Sequence, residues 1–311
     1  MTRTKIVDAA GGGDFETIEG ACYAVSLEAR DSSNQWQILV WPGVYKTSGF
    51  AVPTWTSVQG TALRHPTGGS VEGQVRVDLT GGSGDLITLA QGSTLCFLDI
   101  TYSASNASPP LVPAGAVTVV AKTGGGSSAM WNCQVMSVNI PDTYPLDLIA
   151  CKVGGLTLYD VSTNRAGVAT QTRSIVCADT AGFGMVVWGG RHNSGTAQGK
   201  VIENVSPFAL SLYGLRIIPR LGTTDIAGTS GTVSVVGTPY SVATGTVSDE
   251  ALHAARVTYS GGATDLVGYG DPIGVVVARI GSTYRRLDGA PGATLYVKES
   301  DQDLSTGWSP K

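Results

Sequence analysis

Between Ile6 and about Pro219 the apolar positions fall in short runs, almost every one closed by Gly, Ser, Asn or Asp. The series opens with Trp36 to Trp41, Ser57-Val58-Gln59, Val75 to Leu79 and Asp85 to Leu89. It continues through Thr94 to Thr101, Ala116 to Ala121, Ala129 to Val138, Leu146 to Cys151, Leu156 to Ser162, Ser174 to Cys177, Phe183 to Trp188 and Phe208 to Ile218. Runs of this length, rich in β-branched and aromatic residues and bounded by turn formers, specify strands. One segment reads differently. Phe15, Ile18, Ala21, Cys22, Val25 and Leu27 recur at helical spacing, which puts them on one face of an amphipathic helix within 14–30, with Asp14 as its N-cap. A strand at Ile6-Val7-Asp8 and a turn at Gly11-Gly12-Gly13 precede it.

After that helix no amphipathic segment separates the runs, which removes βαβ folds. Asn-Gly and Asp-Gly hairpin turns are nearly missing, which argues against a meander. A solenoid remains, in which each coil buries its apolar face only against its neighbours. Aligning Leu98-Asp99-Ile100 with Cys133-Gln134-Val135 and Tyr159-Asp160-Val161 gives offsets of 35 and 26 residues, as for coils with variable loops. Gly, Thr and Ser then dominate from Leu221 to Gly231, and strands follow at Thr232 to Val236, Arg256 to Tyr259, Pro272 to Ile280 and Thr294 to Val297. The expected division is 1–220, a parallel solenoid, and 221–311, a small β-rich domain for trimerisation or attachment.

Composition narrows the class. With 14% charged residues, 42% hydrophobic residues and 42 Gly, the chain is neither disordered nor rich in helix. Its net charge of -4, with no basic run, argues against nucleic acid as a partner, and no apolar window is long enough for a membrane span. Five cysteines without a C-x-x-C pair read as reduced core residues rather than as metal ligands. The segment before Ile6 lacks the apolar stretch of a secretion signal, so a location outside the cell would be expected to require release by lysis.

The stretch from Asp8 to Gly60, with Gly-Gly-Gly-Asp-Phe-Glu-Thr-Ile-Glu, the apolar helix, Ile-Leu-Val-Trp-Pro-Gly-Val-Tyr and Thr-Ser-Val-Gln-Gly, resembles the opening coils of pectin-lyase-like β-helix proteins, pectin methylesterases in particular. That resemblance implies an all-β, right-handed parallel β-helix plugged at its start by the helix. The same cap occurs on bacteriophage tailspikes and fibres. The tail, Gly292 to Ser300 and then Thr306-Gly307-Trp308-Ser309-Pro310-Lys311, resembles the closing segment of phage tail, head-fibre and decoration proteins; the ordinary alternative is a β-strand with a surface Trp. Together these imply a homotrimeric structural protein on the virion surface. It would contact other virion proteins, stabilise the capsid or attach to the host, and have host surface polysaccharide as a candidate ligand. The alternative is a tailspike-type polysaccharide depolymerase.

The residues offer little chemistry. The esterase motifs of the pectin family are absent, and their nearest imitation, Asp179-Thr180-Ala181-Gly182-Phe183-Gly184, reads as a turn. A glycosidase needs two carboxylates, and the alignment above stacks Asp99, Gln134 and Asp160 on one outward column, which makes Asp99 and Asp160 the catalytic candidates. Of the six tryptophans, Trp55 and Trp188 lie beside polar turns and, with Gln134, are the candidates for binding a sugar ring. His65, His192 and His253 are scattered and read as surface or loop residues, so neither a metal site nor a cofactor is expected. The Gly-Gly-Gly turn lacks the Gly-Lys-Ser/Thr ending of a phosphate loop, and the glycosylation triplets Asn106-Ala107-Ser108 and Asn204-Val205-Ser206 are short enough to arise by chance.

Overall fold

The computed structural model describes residues 2–61, 74–80, 84–103, 116–138, 146–166, 173–193, 200–218, 224–228, 233–236, 265–268, 270–274, 276, 278–286, 288–301 and 304–311. Arg3–Val7 pairs with the next strand, Trp36–Val40; after that, strands pair not with their neighbours in sequence but with strands one circuit earlier and later, always parallel until the C-terminal sheet. A first ladder stacks Arg3–Val7, Trp36–Val40, Thr56–Gly60, Thr94–Cys96, the second halves of Ala116–Trp131 and Leu146–Tyr159, then Met185–Trp188, Leu210–Tyr213 and Val233–Val236. A second stacks Gly43–Thr47, Val75–Leu79, Asp99–Ser103, Gln134–Val138, Ser162–Ala166, Arg191–Asn193 and Arg216–Ile218. The third stacks Phe50–Val52, Ile87–Leu89, the first halves of Ala116–Trp131 and Leu146–Tyr159, then Ile175–Cys177, Lys200–Asn204 and Thr224–Gly228. The chain visits the three ladders in the same order on each circuit. The result is a mostly β protein of long parallel sheets, compatible with a β-helix-like fold. Parallel pairing continues past the expected boundary near Leu221, as far as Val233–Val236.

Stacking sets the core. In register, Ile38, Val58, Leu95, Met130, Leu158, Val187 and Leu212 form one inward column of the first ladder, and all are fully buried. Tyr45, Val77, Ile100, Val135, Thr163 and His192 form the matching column of the second ladder, and Val52, Leu89, Ala121, Cys151, Cys177 and Asn204 that of the third. Each buried aliphatic side chain contributes roughly 1.5–3 kcal/mol, so stability accumulates coil by coil.

The helix spans Ile18–Ser26, buries Ile18, Ala21, Cys22 and Val25, and packs on Arg3–Val7, Trp36–Val40 and Phe50–Val52. Its N-cap is Thr17, whose Oγ1 accepts from the Gly20 N–H at 3.1 Å. The expected cap, Asp14, instead accepts from the Ile6 N–H at 2.9 Å and ties the preceding turn to the first strand. That turn is no phosphate cradle: the Asp8 carboxylate takes the Ala10 and Gly12 N–H groups at 2.9 and 3.0 Å.

The C-terminal sheet joins Asp265–Gly268 in parallel to Thr283–Arg286, then runs antiparallel through Leu295–Lys298 and Trp308–Pro310. Trp308 is not a surface residue. It is buried edge-on against Tyr284, and its Nε1 donates to the Val276 carbonyl at 2.9 Å. Lys298 is also buried, with Nζ donating to the Leu304 carbonyl at 2.8 Å and lying 5.7 Å from the Trp308 ring. The described residues between Pro272 and Ile280 hold a turn closed by Val276 N–H to the Pro272 carbonyl and an isolated bridge from Ala278 to Leu304, where composition suggests a strand. His65, His253, Asn106-Ala107-Ser108 and the strand expected at Arg256 to Tyr259 lie outside the described residues.

His192 overturns its reading as a surface residue, since it faces inward and is fully buried, with Nδ1 3.1 Å from Thr163 Oγ1. Burial drives its pKa down to about 4 from an ordinary 6.5. The unfolded chain therefore takes up this proton first. The contribution of His192 to stability is greatest above pH 6.5, falls by up to about 3 kcal/mol as the pH drops from there to about 4, and changes no further below. Urea midpoints at pH 7 and pH 5 check this, and His192→Gln removes that part of the pH dependence.

Candidate functional site

Where the first ladder turns into the second, successive coils place one residue in the left-handed region: Phe97 (φ 56°), Asn132 (48°), Asp160 (49°), Gly189 (63°) and Gly214 (61°). These pivots form a column. The N–H of Phe97, Asn132, Asp160 and Gly189 donates to Trp131, Tyr159, Trp188 and Tyr213 respectively, at 2.8 to 3.0 Å. Gly, Asn and Asp enter this backbone region at low cost, and Phe97 is the exception. A Cβ at Gly189 would lie 2.1 Å from Asp160 Oδ1, so the exposed Asp160 side chain would have to swing aside.

The pivot turns the residue after it inward and the residue before it outward. Leu98, Cys133, Val161 and Leu215 follow pivots and are fully buried. Cys96, Trp131, Tyr159, Trp188 and Tyr213 precede them and form one register column on the outer face. Trp131 is 41% exposed and Trp188 44%. Trp131 stacks on Tyr159 with centroids 3.8 Å apart and planes at 19°, and Trp188 on Tyr213 at 4.0 Å and 13°. Four aromatic residues from four coils thus make a stripe of two stacked pairs. Across the pivots, Arg76, Asp99, Gln134, Ser162 and Arg191 form a polar column on the second ladder.

Trp188 and Gln134 therefore lie on opposite sides of one corner, with the exposed Asp160 between their columns. Asp99 and Gln134 are register partners as expected. Asp160 is not in their column, because Gln134 pairs with Ser162 and the pivot Asp160 matches Asn132. Asp99 and Asp160 are thus two coils apart along the axis, about 10 Å, and offset by about another 6 Å around the corner. Trp55 belongs to a different corner, with its own φ of 55° and its ring over Gly92, where an added Cβ would fall 2.3 Å from Cε3. Sequence reasoning missed Trp131, Tyr159 and Tyr213 as members of a stripe. The signal was an aromatic directly before a turn former, in Trp131-Asn132, Tyr159-Asp160, Trp188-Gly189 and Tyr213-Gly214, at intervals of 28, 29 and 25 residues.

Other acids are committed to structure. The buried Asp179 carboxylate accepts from the N–H groups of Gly154, Ala181, Gly182, Phe183 and Gly184 at 2.7 to 3.1 Å, which fixes the turn expected there. Burial alone would raise its pKa, but the donors from Ala181, Gly184, Gly154 and Phe183 outweigh that and hold it below the usual carboxylate range. Arg173 bridges Asp147 and Glu203, and Asp85 holds both Lys122 and Lys152. Asn204, in the second glycosylation triplet, is fully buried and donates from Nδ2 to the Phe208 carbonyl at 2.9 Å. Among the described residues, no group of three or more His, Cys, Asp and Glu could hold a metal ion. No family model matches the chain, and no curated protein matches it.

Two substitutions separate the structural from the surface role. Asp179→Ala orphans the buried N–H groups of Gly154 and Gly184 and frees three more in the exposed turn, and it lowers stability by about 3 kcal/mol, measured by urea unfolding. Trp188→Ala removes one exposed stacked pair and lowers it by about 1 kcal/mol, with the far-ultraviolet dichroism of the fold retained.

Proposed function

We propose that the chain is a right-handed parallel β-helix, closed at its first coil by the helix Ile18–Ser26, and that it serves as a homotrimeric surface protein of a bacteriophage virion. In this reading three solenoids lie side by side, residues 221–311 trimerise or attach to capsid or tail-adaptor proteins, and the particle is assembled in the host cytoplasm and released by lysis. Right-handed winding is what parallel crossovers adopt almost without exception. A solenoid that satisfies its backbone internally suits a protein that must survive outside a cell. The aromatic stripe carries the reading. Trp131 and Trp188 present apolar ring surface on a rigid face, beside a column of carboxylate, amide, hydroxyl and guanidinium groups, and that combination suits attachment to a sugar polymer of the host surface. Its length over four coils, about 14 Å, matches a short run of sugar units.

Sedimentation equilibrium of the purified protein is expected to give three times the chain mass. Retention on immobilised lipopolysaccharide and capsular polysaccharides from a panel of bacteria should weaken about tenfold or more in Trp131→Ala/Trp188→Ala. A monomer at micromolar concentration overturns the trimer, and undiminished retention of the double variant overturns the stripe as the attachment surface.

A further inference from the structure

The inward column of the third ladder carries an arrangement that the proposed attachment surface does not use. Cys151 and Cys177 are register partners on adjacent coils, both fully buried, with sulfurs 3.8 Å apart. Neighbouring parallel strands lie about 4.8 Å apart, within the Cα separation that disulfides span. The Cys151 thiol donates to Cys177, an interaction that holds the Cys177 thiol below its ordinary pKa and pushes that of Cys151 above it. The two sulfurs are thus already in contact across adjacent coils, as thiol–disulfide exchange between them requires. The other cysteines sit elsewhere: Cys22 in the helix, Cys96 on the outward column of the first ladder and Cys133 just after a pivot.

We propose that Cys151 and Cys177 are a latent cross-coil disulfide, closed by exchange with a low-molecular-weight disulfide when the protein passes from a reducing to an oxidising medium. The Cys177 thiolate attacks one sulfur of oxidised glutathione and breaks its S–S bond; one glutathione leaves as a thiolate and is protonated. The Cys151 thiolate then attacks the Cys177 sulfur of the mixed disulfide, forms the bond between coils and releases the second glutathione. The two protein thiols lose two electrons and two protons, and the small disulfide gains them. With no exposed sulfur in the packed state, the first attack passes through local opening of Ile175–Cys177, and the closed bond is then shielded from reductant. The cross-link ties residues 26 apart in sequence and staples two coils together.

The test uses the full chain carrying Cys96→Ser, which removes the half-buried thiol. After incubation with oxidised glutathione, the protein is unfolded in an alkylating reagent and mapped by peptide mass spectrometry. A Cys151–Cys177 cross-linked peptide, two alkylatable thiols instead of four, and a melting temperature raised by several degrees are expected. Four alkylatable thiols after treatment, or a cross-link that maps to Cys22 or Cys133, overturns the proposal. Cys177→Ala in the same background controls for folding: it should keep all three of its thiols and an unchanged melting temperature under oxidant, and loss of thiols there also overturns it.

Discussion

The register of the parallel ladders is the constraint on which everything else rests. Side chains alternate across a strand, so a slip of one residue in any coil would turn an inward column such as Ile38, Val58, Leu95 and Met130 out to water and bring its polar neighbours in. Loop length varies from coil to coil, so the chain needs local devices that reset the register on every circuit. The left-handed pivots are one such device. From Asn132 to Gly214 they recur where the first ladder ends, and Asn132, Asp160 and Gly189 each donate a backbone hydrogen bond to the coil after them. Asp179 is another, since five N–H groups converge on one carboxylate and allow that corner a single geometry.

Strand positions were legible because burial on one face writes a period of two into the sequence. Val75 to Leu79 is such a case, with Val75, Val77 and Leu79 buried and Arg76 exposed. Continuity was harder to read. The Gly-Gly-Gly-Ser-Ser segment from Gly124 looks like a loop, yet it lies inside the strand Ala116–Trp131, where register shifts absorb the extra residues between Lys122 and Ser127. Pairing supplied by neighbouring coils outweighs local composition there. The coil alignment failed at Asp160 for a related reason. Asp before an apolar residue looks the same whether it sits in a strand or at a pivot, and only the backbone conformation tells Asp160 from Asp99. The helix N-cap went the same way, because Asp14 and Thr17 are both good caps and the competing demand of Ile6 N–H decided between them.

Candidate residues were legible one at a time and not as a group. Trp188 and Gln134 are 54 residues apart in sequence, and nothing local shows that a pivot column brings their coils to the two sides of one corner. His192 shows the opposite error: a polar residue in a run without apolar alternation reads as solvated, whereas the second ladder continues its inward column through Thr163 to that ring.

The pivots also explain why the outward aromatics are tolerated. An exposed Trp on an isolated strand loses side-chain freedom for little gain, but in-register stacking gives each ring a partner one coil away at about the spacing of stacked aromatics. The geometry that aligns the core therefore aligns the stripe without further cost, so a surface of this kind can lengthen by adding coils. The length of the outer stripe and the length of the core are therefore set by the same residues, those immediately on either side of each pivot.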